Sequence, residues 1–281
     1  MCLDWHYYRE TSFSTQDLAK SWLSANRQPV SAKEDAESGL DSGLISQRTM
    51  EMDRVGVFYT FSQQKGRGQA GNEWFCGRGD NIAMTLVFQP RELEAMYLFC
   101  LDMALSMGIL RYARRINADC CLKWPNDLYS GNRKLAGILM ETRIAGTQVE
   151  EVYLGIGLNM NQEVFPENLP NPVSFRQLDG MVRDLQEESR QLAVDISNAY
   201  DSFMKRLAGN RGKEESVFER YKKEYLDSLL FRGQWRDFFF RGEIVHARIE
   251  DVDECGHLWL RDRQGRMFSA DIKELRYCLP G

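Results

Sequence analysis

An α+β fold is what this sequence predicts: strands and packed helices up to about residue 230, then a small barrel of antiparallel strands over 231–281. Three observations lead there. Runs of β-branched and aromatic residues, such as 55–61 and 82–88, alternate with long stretches of helical period. A strand–turn–strand segment over 120–140 carries a dense set of charged residues at one end. From Phe231 onward, short apolar runs are broken about every ten residues by Arg232-Gly, Arg241-Gly, Glu254-Cys-Gly and Gln264-Gly.

Composition sets outer bounds. The chain has 281 residues, 43% hydrophobic and 27% charged, with a net charge of −5, which suits a globular protein of one large and one small domain. No basic block favours nucleic acid. No apolar run approaches a membrane span, and the first residues lack the form of a signal peptide. Seven cysteines, with no Cys-x-x-Cys, and three scattered histidines fit neither a disulfide framework nor a zinc site. Reduced cytoplasmic thiols are the expectation.

Taken in order, Ser14-Thr15-Gln16-Asp17 has the form of a capping box, with Leu18, Trp22 and Leu23 at helical spacing behind it. Residues 26–52 are polar and rich in Ser, Glu and Asp, and predict a long mobile inserted loop. The strand at 55–61 feeds Gln63-Gln-Lys-Gly-Arg-Gly-Gln-Ala-Gly-Asn-Glu-Trp74. Gly66, Gly68 and Gly71 spell G-x-G-x-x-G, but a dinucleotide fingerprint needs a helix to begin inside it. Loop chemistry and another strand follow instead. A loose flap is the better reading, because each glycine costs roughly 0.5–1 kcal/mol more than alanine to order. Its amides and Arg67 can wrap an anion. Residues 92–115 predict an amphipathic helix with methionines as core filling. Residues 152–161 predict a strand in which Gly155 and Gly157 mark either a bulge or the close approach of a ligand or another backbone. Pro166, Pro170 and Pro172 shape a surface loop, and 190–207 and 214–230 predict two packing helices.

Residues 123–141 read Lys-Trp-Pro-Asn-Asp-Leu-Tyr-Ser-Gly-Asn-Arg-Lys-Leu-Ala-Gly-Ile-Leu-Met-Glu. Pro125 blocks ladder bonding, and Ser130-Gly-Asn132 is a turn signal, so a hairpin-like pair of strands is expected. Its end presents Lys123, Lys134, Arg133, Asn126 and Asp127. Lysine and arginine can hold a carboxylate or phosphate, and Asp with Asn can hold Mg²⁺ or hydroxyl and amide groups. On these residues alone, an anion site and a solvated basic tip are both open.

The segment resembles, without a gap, the signature of the biotin–protein ligases: Lys-Trp-Pro-Asn-Asp, a spacer, then Arg-Lys-Leu-Ala-Gly-Ile-Leu-hydrophobic-Glu. The resemblance extends to Gln-x-x-Gly-Arg-Gly-x-x-Gly-x-x-Trp at Gln63, Gly66, Arg67, Gly68, Gly71 and Trp74. It also covers Gly-x-Gly-hydrophobic-Asn at Gly155, Gly157 and Asn159, and Ser-Thr at Ser14 and Thr15. Gln16 departs from the family's Asn, and Gln69 and Asn72 stand where several members carry arginine. Residues 231–281 resemble the family's SH3-like domain, down to Lys273-Glu274.

The resemblance implies a mixed β-sheet catalytic domain with packed helices, class II synthetase-like and of biotin/lipoate ligase type, at 1–230. An SH3-like β-barrel follows at 231–281. About ten residues before the Ser14 helix leave no room for the DNA-binding domain that some members carry. The implied reaction activates biotin with ATP as biotinyl-5′-AMP and transfers it to a lysine of a biotin carboxyl carrier protein. Lys134 and Arg67 would supply the electrostatic work, with Lys123 and Asp127 placing the nucleotide. Ser14, Thr15, Gln16, Gln63, Arg67, Gly68, Gln69, Lys134 and Gly137 would bind biotin. Gly66, Arg67, Trp74, Asn126, Lys134 and Asn159 would bind ATP, with Mg²⁺ carried on phosphate oxygens and no fixed protein ligand. No nucleophilic Ser, Cys or His is required. Neither nucleic acid nor membrane is expected as a partner. An edge strand of the sheet is expected to dock the carrier or pair two subunits. A lipoate–protein ligase, and a non-catalytic carrier-binding homologue, are the alternatives.

Overall fold

The larger sheet owes its order to strands that are apolar on both faces. A computed structural model of the chain describes residues 2–26, 54–68, 73, 74, 76, 79–209 and 216–279. The expected inserted loop past Asn26, together with Gln69, Gly71, Asn72 and Gly77, lies outside the described residues. The first elements are β1 (Cys2–Tyr8), α1 (Thr15–Asn26), β2 (Arg54–Thr60), the short strands β3 (Gly66–Arg67) and β4 (Glu73–Trp74), and β5 (Asn81–Phe88). A 3-10 turn at Ala95–Tyr97 leads into α2 (Leu98–Ile116). Then come β6 (Cys120–Lys123), β7 (Asp127–Ser130), β8 (Arg133–Ala145) and β9 (Gln148–Asn159). The helices α3 (Phe175–Asp179), α4 (Leu185–Gly209) and α5 (Val217–Asp227) follow.

Seven strands pair in the order β1-β2-β5-β9-β8-β7-β6. Only β1–β2 is parallel, so the sheet is mixed, as expected. Every residue of β5 is buried, which suits a central strand. Ile82, Met84, Leu86 and Phe88 join the core shared with α2 and α4. Val87 and Phe58 turn to the other face, where α1 packs with Ala19 and Leu23. Ala83 and Thr85 share that face by the period of two, and there the cavity described below opens.

Boundaries differ from the periodicity in instructive ways. The helix expected over 92–115 begins later, because Glu92 takes a φ of +58° and Leu93 is buried before the helix starts. The helix expected from 190 begins at Leu185, and the one expected over 214–230 ends at Asp227 with Ser228 as its cap. The single hairpin expected over 120–140 is a three-strand meander, since Trp124-Pro-Asn126 turns β6 into β7 before Gly131-Asn132 turns β7 into β8. Contrary to the sequence reading, the stretch Ala95–Ile116 is long and apolar enough to cross a membrane by length and composition. Within the protein 67% of that window is buried, so its apolarity is used against the sheet and the other helices.

The last elements are β10 (Trp235–Phe240), β11 (Glu243–Val252), β12 (Leu258–Asp262), β13 (Met267–Ala270) and β14 (Leu275–Tyr277). They pair antiparallel in the order β13-β12-β11-β10-β14. The barrel expected here is thus a five-stranded sheet, and no closure between β13 and β14 is made among the described residues. This sheet is tied to the larger one. The Leu122 N–H donates to Ser228 O at 2.9 Å, and the Leu230 N–H donates to Leu122 O at 2.7 Å, which seals the β6 edge. The Trp124 indole N–H donates to Gly256 O at 3.0 Å.

Candidate active site

Small residues at the middle of the sheet make room for a site. In register, Ala83, Gly157 and Gly137 form one row across β5, β9 and β8, and Thr85, Gly155 and Leu139 form the next. Above this floor lies a cavity of about 600 Å³. The start of α1 supplies Ser14, Thr15 and Gln16, and the flap supplies Gln63, Arg67, Gly68 and Trp74. The β6–β7 turn supplies Lys123, Trp124, Pro125 and Asp127; Lys134 stands at the start of β8. Ile272, Lys273, Leu275 and Arg276 of the carboxyl-terminal sheet complete the wall.

The α1 end is built by hydrogen bonds. Ser14 Oγ accepts the Asp17 N–H at 3.1 Å and donates to Asp17 Oδ2 at 2.7 Å, so the expected cap forms. Gln63 Oε1 accepts the Thr15 N–H at 2.9 Å, and the Thr15 and Thr85 hydroxyls meet at 2.8 Å. Gln16 lies on Gly155, where an added Cβ would fall 2.8 Å from its carboxamide carbon. Its Nε2 donates to Leu139 O at 2.9 Å and Tyr153 O at 3.3 Å. The longer amide thus reaches the strands through the space that glycine leaves. Trp74 does the same at Gly157, whose Cβ would fall 2.1 Å from the indole. Both strand glycines therefore answer to close approach, here by side chains.

The charged end holds its cations in different states. Lys134 Nζ donates to Asp127 Oδ2 at 2.6 Å and stands 5.9 Å from the Trp74 ring centre. Lys123 Nζ lies 4.8 Å from the Tyr277 ring centre and 5.8 Å from that of Tyr129. Burial pushes its pKa down, Asp127 opposes this, and Lys134 adds to it. Arg67 is engaged by carboxylates, with Nη1 on Asp17 Oδ1 at 2.7 Å and Nη2 on Glu141 Oε1 at 3.1 Å. Burial pushes the Asp17 carboxyl up, but the hydrogen bonds from Ser14 and Arg67 and the charges of Arg67 and Lys20 outweigh it and hold it below its ordinary range.

All four residues expected to be catalytic, Lys134, Arg67, Asp127 and Lys123, line this one cavity. So do Ser14, Thr15, Gln16, Gln63, Gly68, Gly137 and Trp74. Three expected ATP residues do not. Asn126 is buried and donates to Asp102 Oδ1 at 3.2 Å, facing the core and not the cavity. Asn159 is buried and donates to Val173 O at 3.1 Å and Lys134 O at 3.3 Å, so it braces the backbone that carries Lys134. Gly66 pairs with Trp74 so closely that a Cβ would fall 2.3 Å from the Trp74 carbonyl. Gln69 is outside the described residues. Ile272, Leu275 and Arg276 were missed because nothing in their local pattern says which wall they join; Lys273 alone carried a family signal. Asp253, Cys255 and His257 also bring donor atoms within 4.8 Å of one another, where the sequence reading saw no metal pattern. That carboxylate is already engaged by the N–H groups of Cys255 and His257, the His257 ring and the Trp259 indole, at 3.0–3.1 Å.

Comparison with known proteins follows the same lines. Residues 32–159 match the profile of the biotin/lipoate A/B protein ligase family. A biotin–[acetyl-CoA-carboxylase] ligase of Paracoccus denitrificans is 38% identical over 73% of this chain and 83% of its own length. The bifunctional ligase/repressor BirA of Escherichia coli is 35% identical over 39% of this chain, and that of Bacillus subtilis 32% over 75%. The matches span 34% and 63% of those relatives' own lengths. Among solved structures, a biotin protein ligase from Aquifex aeolicus in complex with biotin and ATP covers 99% of both chains at a TM-score of 0.66 and 21% identity, a likeness of fold.

Proposed function

The chain belongs to the biotin/lipoate A/B protein ligase family, and from that premise we propose that it is an ATP-dependent biotin–protein ligase that works through an acyl-adenylate. The observation that carries this reading is that Lys123, Lys134, Lys273 and Arg276 line one cavity. The same cavity is floored by glycine and alanine and lined by the amides of Gln16 and Gln63. The small-residue floor and the amides suit a compact heterocycle with polar edges, and the cations suit a carboxylate beside phosphates.

Joining an acid to an amine in water needs an activated acyl group. The substrate carboxylate attacks the α-phosphorus of ATP, pyrophosphate leaves, and an acyl-adenylate remains. Charge builds on the phosphate oxygens, and Lys134 and Lys123 face the space where that happens. Arg67 joins them by exchanging Asp17 and Glu141 for phosphate. A lysine of the acceptor protein then attacks the acyl carbon and AMP leaves. No protein nucleophile takes part. Mg²⁺ would arrive on the phosphate oxygens. Among the described residues lining the cavity, Asp127 is the one carboxylate, and Lys134 already holds it, so a cage made of these ligands does not fit.

We assign acceptor docking, or pairing with a second copy, to β1, the edge strand opposite β6, beside the half-exposed Trp5 and Tyr7. Seven free thiols suit a reducing cytoplasm. The deciding experiment is ATP–pyrophosphate exchange driven by biotin or by lipoate. Exchange with biotin supports the reading. Exchange with lipoate alone makes the chain the other kind of ligase in this family, and exchange with neither removes the adenylation chemistry.

A further inference from the structure

Behind the cavity wall, α2 buries a carboxyl group for which no cation is at hand among the described residues. Asp102 is 6% exposed, and its one side-chain hydrogen-bond partner among the described residues is the Asn126 amide. Asn126 is equally buried, and its Oδ1 has no partner among the described residues. An ionised carboxylate here would be isolated in apolar surroundings and would face a second acceptor. Turning the amide over does not help, because Oδ1 would then meet the carboxyl, where only a proton can join them.

We infer that Asp102 carries a proton and forms a two-bond acid–amide pair with Asn126, which makes Asp102 a positioning residue for the turn between β6 and β7. In this pair the acid O–H donates to Asn126 Oδ1, and Asn126 Nδ2–H donates to the acid carbonyl oxygen. One proton resides on Asp102 and nothing leaves. The orphaned Asn126 Oδ1 gains a donor, and the Asn126 amide is then satisfied at both its polar atoms.

The turn shows why this matters for the cavity. Trp124, Pro125 and Asn126 are each pinned to a different element. The Trp124 indole donates to Gly256 O. Pro125 O accepts the Tyr225 hydroxyl of α5. Asn126 pairs with Asp102 of α2. Lys123 and Asp127 flank these three residues and face the cavity, where Asp127 in turn holds Lys134. Loss of the Asn126 anchor frees the middle of the turn and moves the groups on either side of it.

Burial pushes the Asp102 pKa up to about 7, the Asn126 hydrogen bond opposing it. The groups around it bring no countercharge. Tyr225, from α5, is held far above its ordinary value, by burial first and then by the Asp102 charge. On the α4 side, Glu188 and Asp195 engage Tyr112 and Arg115, further along α2. In the carboxyl-terminal sheet, Glu254 acts on Cys100, whose thiol burial raises to about 11. Lys123 and Asp127 of the turn itself line the cavity.

The inference deepens the ligase reading and rests on it for its activity arm alone. Asp102→Asn replaces the acid by an amide that keeps two bonds to Asn126 and cannot titrate. Asp102→Ala leaves both ends of Asn126 unpaired. Exchange kcat of the wild type should fall as pH rises from about 6 to about 8.5 through the Asp102 pKa, with KM for the acid nearly constant. Asp102→Asn should lack that fall, and Asp102→Ala should run about tenfold below Asp102→Asn at every pH. Independently of activity, the infrared difference between wild type and Asp102→Asn below neutrality should contain the carbonyl band of an un-ionised carboxylic acid. Stability should also carry a signature. The folded carboxyl titrates above its ordinary 3.8, so wild-type stability declines as pH rises from about 4 to about 7 and is level above, and Asp102→Asn lacks the decline. Superimposable pH profiles for wild type and Asp102→Asn, or no un-ionised band, overturn the inference. Absence of exchange in every variant, with the band present, overturns the ligase reading and leaves the pair standing.

Discussion

Gly157→Ala probes the cavity floor most sharply. An ideal Cβ at Gly157 falls 2.1 Å from Cε2 and 2.2 Å from Nε1 of Trp74. Carbon atoms rest at about 3.5–4.0 Å, so the indole must withdraw by roughly 1.5 Å. The sheet will not yield, because Gly157 is paired on both sides, to Ala83 and to Gly137. The indole will, since its Nε1 has no hydrogen-bond partner among the described residues and β4 is held to β3 by a ladder of two residue pairs. Overpacking of this kind costs about 1–3 kcal/mol. Releasing the flap sets the upper limit of that cost. Guanidinium denaturation of Gly157→Ala, Trp74→Ala and the double variant measures it. The second substitution should be nearly silent once the indole is gone, giving a coupling energy of about 1–2 kcal/mol. Costs that add to within about 0.5 kcal/mol would mean that the new methyl group meets something else, and the account of the floor fails. Biotin-dependent exchange by Gly157→Ala should drop about tenfold or more, because a displaced flap also displaces Arg67.

Other outcomes can be stated more briefly. Lys134→Ala should lower biotin-driven pyrophosphate exchange by on the order of a thousandfold, the effect of losing a paired charge in a closed site. Its cost in melting free energy should be only about 1–2 kcal/mol, because the Lys134 and Asp127 side chains keep 28% and 22% of their exposure. Arg67→Ala should cost less than about 1 kcal/mol of stability, its ion pairs being half-exposed, yet should still depress exchange strongly. Asp17 adds a pH effect of known sign: its carboxyl is held below 3.8, so its share of stability is present above that range and fades as pH falls through the lowered value. Asp17→Asn should flatten that acid limb in pH-dependent melting. In timed alkylation read by mass spectrometry, Cys2, Cys255 and Cys278 should label first. Cys76 and Cys121, pushed by burial to about 11, and Cys120, pushed to about 12, should lag.

Much of this was legible in the chain because the informative residues cluster. Ser14 to Asp17, the Gly-Arg-Gly ribbon and residues 123–134 announce their local shapes through caps, glycines and a proline, and each of those segments reaches the cavity. What was not legible depends on which way a side chain turns. Asn126 and Asn159 sit in signature segments, yet both face inward, where a buried carboxyl group and a buried carbonyl take their donors. Arg276 illustrates the opposite case. It belongs to a short strand with no local signature, and only packing of one sheet on the other brings it to the wall. The helix starts at 98 and 185 escaped for a related reason: a positive φ at Glu92 and an early apolar Leu185 follow tertiary contacts, not the 3.6-residue period.

Sealing of the β6 edge by residues 228–230 also has a bearing on how such a protein can be cut or recombined. The last fifty residues lie outside the Lys-Trp-Pro-Asn-Asp signature, yet the lysine cradle leans on them: Tyr277 lies under Lys123, and Gly256 receives Trp124. A fragment ending at residue 230 would keep the Gly-Arg-Gly and Lys-Trp-Pro-Asn-Asp motifs and lose the buttress behind them. Exchange of either half between homologues therefore has to preserve that seam, however faithfully the motifs themselves are copied.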